Sequence, residues 1–242
     1  MVMPLGDDNT ARHITPFVTY ALVAANVLVW LYELAAGEGF VYGYSTVPFE
    51  ITNGTDVVGS RTVSVGGETA VIPHAPGPTP IYLTLLTSMF MHASWMHILG
   101  NMLFLWIFGD NVEDHIGHGR FLAFYLLCGL AASLAQIAFA PESLIPGLGA
   151  SGAIAGVLGA YMIKFPRSPV RVLMGRVVTT VPAFMAIGLW VLMQIFGQIS
   201  VAGGQASGVA YLAHLGGFVA GVALIFLFSR GRARPGPRPA AV

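Results

Sequence analysis

The chain has 242 residues, of which 55% are hydrophobic and 9% charged, with 11 basic and 11 acidic side chains and a formal net charge of zero. Soluble domains carry roughly a quarter charged residues, so this composition excludes a soluble globular protein and indicates a polytopic one whose surrounding is the lipid bilayer. A chain with no net positive charge gives no reason to expect a nucleic-acid partner.

The N-terminal segment, 1–15, carries Asp7 and Asp8 beside Arg12. A first apolar run, 16–34, has the length a membrane helix needs, roughly 17 to 25 residues. It exceeds the h-region of a cleaved signal peptide, about 7 to 15 residues, so the span is expected to be retained although the following AAG loosely resembles a cleavage site. The region 37–80 mixes Gly and Pro with two short alternating pieces, 61–65 and 69–72, expected to form a hairpin with Gly66 and Gly67 at its turn. It reads as a lid or packing cap. Residues 53–55 (NGT) match a glycosylation acceptor, a weak pattern that matters only in a eukaryotic secretory route.

Further spans are expected at 88–108, 121–139, 151–165, 177–199 and 209–228. Cys128, the one cysteine, lies in the third, so no intramolecular disulfide can form and packing is its expected role. The fourth span is short, so its first residue begins below the surface or lines a cavity. The tail, 229–242, is basic and Pro-rich, expected to be disordered and suited to anionic lipid. The fold class expected is an all-α polytopic membrane protein: a six-helix bundle over 16–228 with a long outer loop between spans one and two.

The basic residues are sided. Lys164, Arg167, Arg171 and Arg176 lie between spans four and five, and Arg230, Arg232, Arg234 and Arg238 follow span six. Arg120 lies between spans two and three and Arg12 precedes span one, while only Arg61 falls on the other side. With six spans the positive-inside rule puts both termini in the cytoplasm. A six-span core without targeting extensions suggests a prokaryotic plasma membrane.

That topology sets the depth of the polar residues. Ser94 is a plausible N-cap for span two, which puts His97 in the first turn and Asn101 one turn deeper on the same face. Ser151 opens span four and His214 lies about one or two turns inside span six, so all four groups sit at a similar outer depth. Gly152, Gly156 and Ala160 on span four, and Gly217 and Gly221 on span six, recur at the spacing that lets two helix backbones approach closely. A hydroxyl and an imidazole brought together in a membrane suggest a nucleophile and its base. Singly, each has a structural alternative: the serine as a packing residue, the histidine as a donor to a neighbouring carbonyl. The backbone N–H of Ser151 at the N-terminus of span four, the Asn101 amide and the His97 ring N–H are candidate donors for an oxyanion. No Asp or Glu lies at that depth in spans two, four or six, which leaves a Ser151–His214 dyad.

The run 92–101 (HASWMHILGN), 149–152 (GASG) and 213–217 (AHLGG) resemble, in order and spacing, the three signature blocks of the rhomboid intramembrane serine proteases. The resemblance covers roughly 87–228 and implies a rhomboid-like bundle. By it Ser151 is the catalytic nucleophile, His214 the general base and then acid, and His97 and Asn101 the oxyanion-hole side chains, with no cofactor and no metal. His92 is implied to be structural or to hold water. Residues 109–113 are implied to turn after span two, with Glu113 in a hydrogen-bond network at the cytoplasmic end or, alternatively, a solvated helix-end carboxylate. The resemblance also implies the substrate: single-pass transmembrane proteins, cut near the outer end of the helix and entering past span five, where Pro182 and Gly188 permit bending. Two departures stand out. The Trp-Arg pair common in the family's first outer loop is absent, and the position four after the serine, often aromatic and stacked on the histidine, is Ala155.

Three other classes compete. A haem or metal protein would use His92, His97 and His214, but an i, i+5 spacing sets the first two about 140° apart on a helix at 3.6 residues per turn, and no His-Glu-x-x-His run occurs. A transporter or channel needs polar groups through the full membrane, and the inner half of the bundle reads as apolar. A catalytically inactive rhomboid-like membrane-protein binder typically lacks the serine or histidine, and this chain keeps both.

Overall fold

The computed structural model describes residues 2–10, 12–65, 68–203 and 208–230. In chain order the elements are β1 (Val2–Asp7), α1 (Phe17–Ala36), α2 (Glu38–Tyr44), α3 (Pro48–Asn53), β2 (Gly59–Val65), β3 (Glu68–His74), α4 (Thr84–Thr87), α5 (Trp95–Ile116), α6 (His118–Phe139), α7 (Ser151–Lys164), β4 (Pro169–Met174), β5 (Val177–Pro182), α8 (Ala183–Ala202) and α9 (Tyr211–Phe228). The chain is mostly helical rather than all-α. Four helices, α1, α6, α8 and α9, are long and apolar enough to cross a membrane by length and composition. Large apolar side chains such as Leu28, Leu31, Phe196 and Val219 are exposed along them, which suits an integral membrane protein.

At the centre stands α7, buried from Gly152 to Tyr161. Its glycines explain how the other helices close around it. A Cβ on Gly217 or on Gly221 of α9 would lie 2.0 Å from the carbonyl oxygen of Gly152 or Gly156, and one on Gly159 would meet the Phe218 carbonyl at 2.5 Å. A Cβ on Gly152 would strike Ala132 of α6 at 2.5 Å. The backbones of α7 and α9 are therefore in direct contact, as the small-residue spacing predicts.

Two expected boundaries are displaced. The helix expected as the second span starts seven residues later, because Met91 and Ser94 are extended and Ser94 caps α5, its hydroxyl accepting the His97 N–H at 3.2 Å. It also continues through the expected turn at 109–113 to Ile116, and the corner falls at Gly117, whose φ of 87° suits glycine. The expected start of the fifth span, 177–182, is instead strand β5: five successive Val and Thr residues pair with β4 across a turn in which Gly175 has φ 62°. Pro182 is thereby the N-cap of α8, so Gly188 alone lies inside the helix.

β1 adds to this hairpin, giving an antiparallel sheet of order β1-β4-β5 that sequence reading did not anticipate. Its end of the bundle is not apolar. Asp7 accepts from the Tyr161 hydroxyl and the Asn111 amide, both at 2.6 Å, and Arg12 pairs with Asp110 at 2.6 Å. Burial pushes the Asp7 carboxyl above its usual range, against those hydrogen bonds. Glu113 is fully buried and accepts the N–H groups of Val18 and Thr19, the Thr19 hydroxyl and a bond from His118. It caps the first turn of α1, which Pro16 cannot do. Glu113 thus belongs to a hydrogen-bond network and is not a solvated carboxylate.

The 37–80 region is built as expected around a hairpin, β2–β3, although Gly66 and Gly67 at its turn lie outside the described residues, as does 231–242 of the tail. Its base is a packing cap. Thr46 and Gly147 exchange backbone hydrogen bonds at 2.9 and 2.8 Å, and the Phe49 N–H donates to the Ser143 carbonyl. The Thr46 hydroxyl bonds that of Ser88, and the Ser88 carbonyl accepts the Gly149 N–H at 2.8 Å. The connection leading into α7 is clamped from one side by this region.

Candidate active site

Ser151 is the first residue of α7. The residue before it, Ala150, has helical dihedrals and supplies no side-chain cap, so the N–H groups of the first turn have no partner within the helix. His214 stands in the first turn of α9. The glycine contact between the two helices brings its Nε2 to 2.7 Å from Ser151 Oγ. Both side chains are half-buried.

The ring is held on its other side as well. Nδ1 of His214 lies 2.8 Å from Oε1 of Gln194, and the Trp190 ring lies 5.9 Å away at a tilt of 38°. Both partners come from α8. The support that Ala155 cannot give from α7 is supplied across the bundle, with Ala155 fully buried as a packing residue. The partner of His214 is a neutral amide on α8, not an Asp or Glu of spans two, four or six. A signal existed in the sequence: Gln194 interrupts an α8 face whose other members, Ala183, Ile187, Trp190 and Gly197, are apolar or small at alternating spacings of four and three.

On α5, His97 accepts the Ala93 N–H at Nδ1 (3.4 Å), which puts its own ring proton on Nε2. That nitrogen faces the gap beside Gly149. A Cβ on Gly149 would lie 2.8 Å from His97 Nε2 and 3.5 Å from Ser151 Oγ, and φ at this glycine is 130°. His92, fully buried, stacks edge-on against His97 with centroids 5.1 Å apart, while its backbone N–H donates to Glu33 of α1 at 3.2 Å. Both of its ring nitrogens are buried without a hydrogen-bond partner among the described residues, and Glu33 holds the residue by its backbone N–H. Asn101 is buried one turn below His97, and its amide nitrogen has no hydrogen-bond partner among the described residues.

Two groups, Ser151 and His214, are thus in contact, and His97 adjoins them across Gly149. Asn101 offers an unused donor on the same helix face as His97. Chemically this is a hydroxyl bonded to an imidazole, near the Asn101 amide, unpartnered among the described residues, and the first N–H groups of α7, which have no partner within their own helix. Among the described residues no three of His, Cys, Asp or Glu are grouped as metal ligands, so His92, His97 and His214 do not converge as such a set.

Comparison with known proteins gives the same direction. The family model "Rhomboid domain" matches residues 80–231, more than half of the chain. The chain is 45% identical over 78 residues to the Rhomboid protease GluP of Bacillus subtilis (strain 168), covering 32% of this chain and 15% of that protein. It is 28% identical over 162 residues to Rhomboid-like protein 11, chloroplastic, of Arabidopsis thaliana, covering 62% and 54%. To Rhomboid protein 1, mitochondrial, of Saccharomyces cerevisiae it is 31% identical over 151 residues, covering 58% and 40%. The chain spans at most about half the length of these relatives.

Proposed function

The chain belongs to the rhomboid family, and on that premise we propose that it is an intramembrane serine endopeptidase acting on single-pass membrane proteins. The observation that carries the reading is the 2.7 Å contact between Ser151 and His214 inside a bundle of apolar helices.

Nε2 of His214 takes the Ser151 proton as Oγ attacks the carbonyl carbon of the substrate's peptide bond. The carbonyl oxygen becomes an oxyanion beside the His97 Nε2–H, the Asn101 amide and the first N–H groups of α7, whose helix end favours negative charge. His214 passes its proton to the leaving amine as the C–N bond breaks. Water, deprotonated by the same ring, then releases the acyl group and restores Ser151.

On this reading α1, α5, α6, α7, α8 and α9 all cross the bilayer, both termini are cytoplasmic and the membrane is a prokaryotic plasma membrane. The site lies toward the outer face. A substrate helix enters past α8 and unwinds near its outer end, because a helical peptide bond is shielded by its own hydrogen bonds. Small residues and helix breakers favour that unwinding.

The test is cleavage of a tagged single-pass substrate in liposomes by wild type, Ser151→Ala and His214→Ala. Each substitution is expected to lower the rate by about ten-thousandfold or more. Cleavage that survives Ser151→Ala overturns the mechanism. Failure of a fluorophosphonate to label Ser151 in a wild type that cleaves nothing points instead to a catalytically inactive membrane-protein binder.

A further inference from the structure

Gln194 lies on α8, 20 residues before His214, yet its side chain ends 2.8 Å from His214 Nδ1. Its amide nitrogen donates to the Trp190 carbonyl at 3.4 Å. With the amide this way round, the NH2 group meets the Trp190 carbonyl along α8 and the oxygen meets the imidazole, whereas the reverse would set two oxygens against each other. Gln194 is buried, and its helix is seated on α9 beside it, since a Cβ on Gly197 would strike the Tyr211 ring at 2.3 Å.

The orientation has a chemical consequence. A neutral imidazole carries one proton, and His214 can accept the Ser151 hydroxyl at Nε2 only if that proton is on Nδ1. An Nδ1–H in an apolar surrounding needs an acceptor. Gln194 Oε1 is that acceptor. The reversed amide would set NH2 against Nδ1, move the proton to Nε2 and leave the ring unable to take one from serine. When the ring becomes an imidazolium its Nδ1–H keeps the same partner, and the carbonyl dipole points its negative end at the new charge. A neutral amide does this without the desolvation that a buried carboxylate incurs. The other titratable group facing the ring from a neighbouring helix is His97 of α5; α6, α7 and α8 bring no Asp, Glu, Lys or Arg to this level.

We propose that Gln194 is the third member of the site, a positioning residue that holds His214 in the tautomer able to activate Ser151. The proposal rests on the protease reading above and extends the dyad into a Ser151–His214–Gln194 relay of hydrogen bonds reaching onto α8.

The experiment compares wild type, Gln194→Met, Gln194→Glu and Ser151→Ala in liposomes, reading kcat and KM for a single-pass substrate and, independently of substrate, the rate at which a fluorophosphonate labels Ser151. Methionine keeps the volume and removes the acceptor; kcat and labelling are expected to fall about 10- to 100-fold, with KM changed less than about twofold. Glutamate keeps an oxygen for the Nδ1–H and is expected to restore both rates to within about threefold of wild type. A Met variant that cleaves and labels at the wild-type rate overturns the proposal, as does a Glu variant that loses both rates in parallel with Met. If the Met variant does not fold, Gln194→Asn decides: its amide falls short of Nδ1, so slowed labelling supports the role and unchanged labelling ends it. Labelling or cleavage that persists in Ser151→Ala sinks the protease reading itself, whatever the Gln194 variants do.

Discussion

Gly149 is the residue on which the space in front of the serine depends. Its φ of 130° is one that side chains rarely adopt, and the position a methyl would occupy is 2.8 Å from the His97 ring. Gly149→Ala is therefore expected to cost about 1 to 3 kcal/mol in backbone strain and to fill the gap where a substrate carbonyl would sit. Cleavage should fall by about a hundredfold or more, with fluorophosphonate labelling reduced alongside it; a variant that cleaves normally would show that this gap holds no reacting group. At this scale the meeting of Ser151 and His214 was legible, because depth along each helix follows from residue count. Gln194 was not legible by the same route: a neutral amide has no charge to mark it, and only its interruption of an otherwise apolar α8 face sets it apart. His97 could be placed on the right helix face and Gly149 stood in the GASG run, but their contact follows from a dihedral that residue order does not give.

Between elements, the crossing of α7 and α9 sets the distance between hydroxyl and imidazole. With Gly217 and Gly221 each touching a carbonyl of α7, no side-chain adjustment can absorb an added methyl. Gly217→Ala is expected to destabilise by about 1 to 3 kcal/mol through overpacking and to separate Ser151 from His214, so activity should be lost more completely than thermal stability in detergent. Equal activity in a Gly217→Ala variant would contradict the crossing described. The glycine stripes could be read in advance because small-residue spacing has a simple geometric meaning. The strands could not. In β5 the run from Val177 to Val181 is as apolar as the helix it joins, so hydropathy merges the two, and only the β-branched content separates them. In α5 the reverse holds: Asp110, Glu113 and Asp114 end the apolar run while the helix continues, because each carboxylate has a partner in the N-terminal segment or α1.

The whole molecule has two dissimilar ends, one carrying Ser151 and His214, where the 37–80 region clamps the connection into α7, and the other a polar weld. Glu113 is the centre of that weld, joining the start of α1 to the end of α5 and, through His118, the start of α6. Glu113→Ala would strand the N–H groups of Val18 and Thr19, the second of them buried, and is expected to cost about 3 kcal/mol, read as a lowered melting temperature in detergent; an unchanged melt would mean that the weld contributes little. Beyond it lies the sheet, where β1, among the described residues, is bonded on one side only and β4 is the strand that leaves α7. Tyr161, bonded to Asp7 of β1, stands ten residues along α7 from Ser151, roughly 15 Å at 1.5 Å per residue. In mechanical terms the N-terminal strand is a handle. A load applied at Val2, whether by a fused domain or a tethered partner, peels against β4 and pulls on the far end of the very helix whose tip holds the serine.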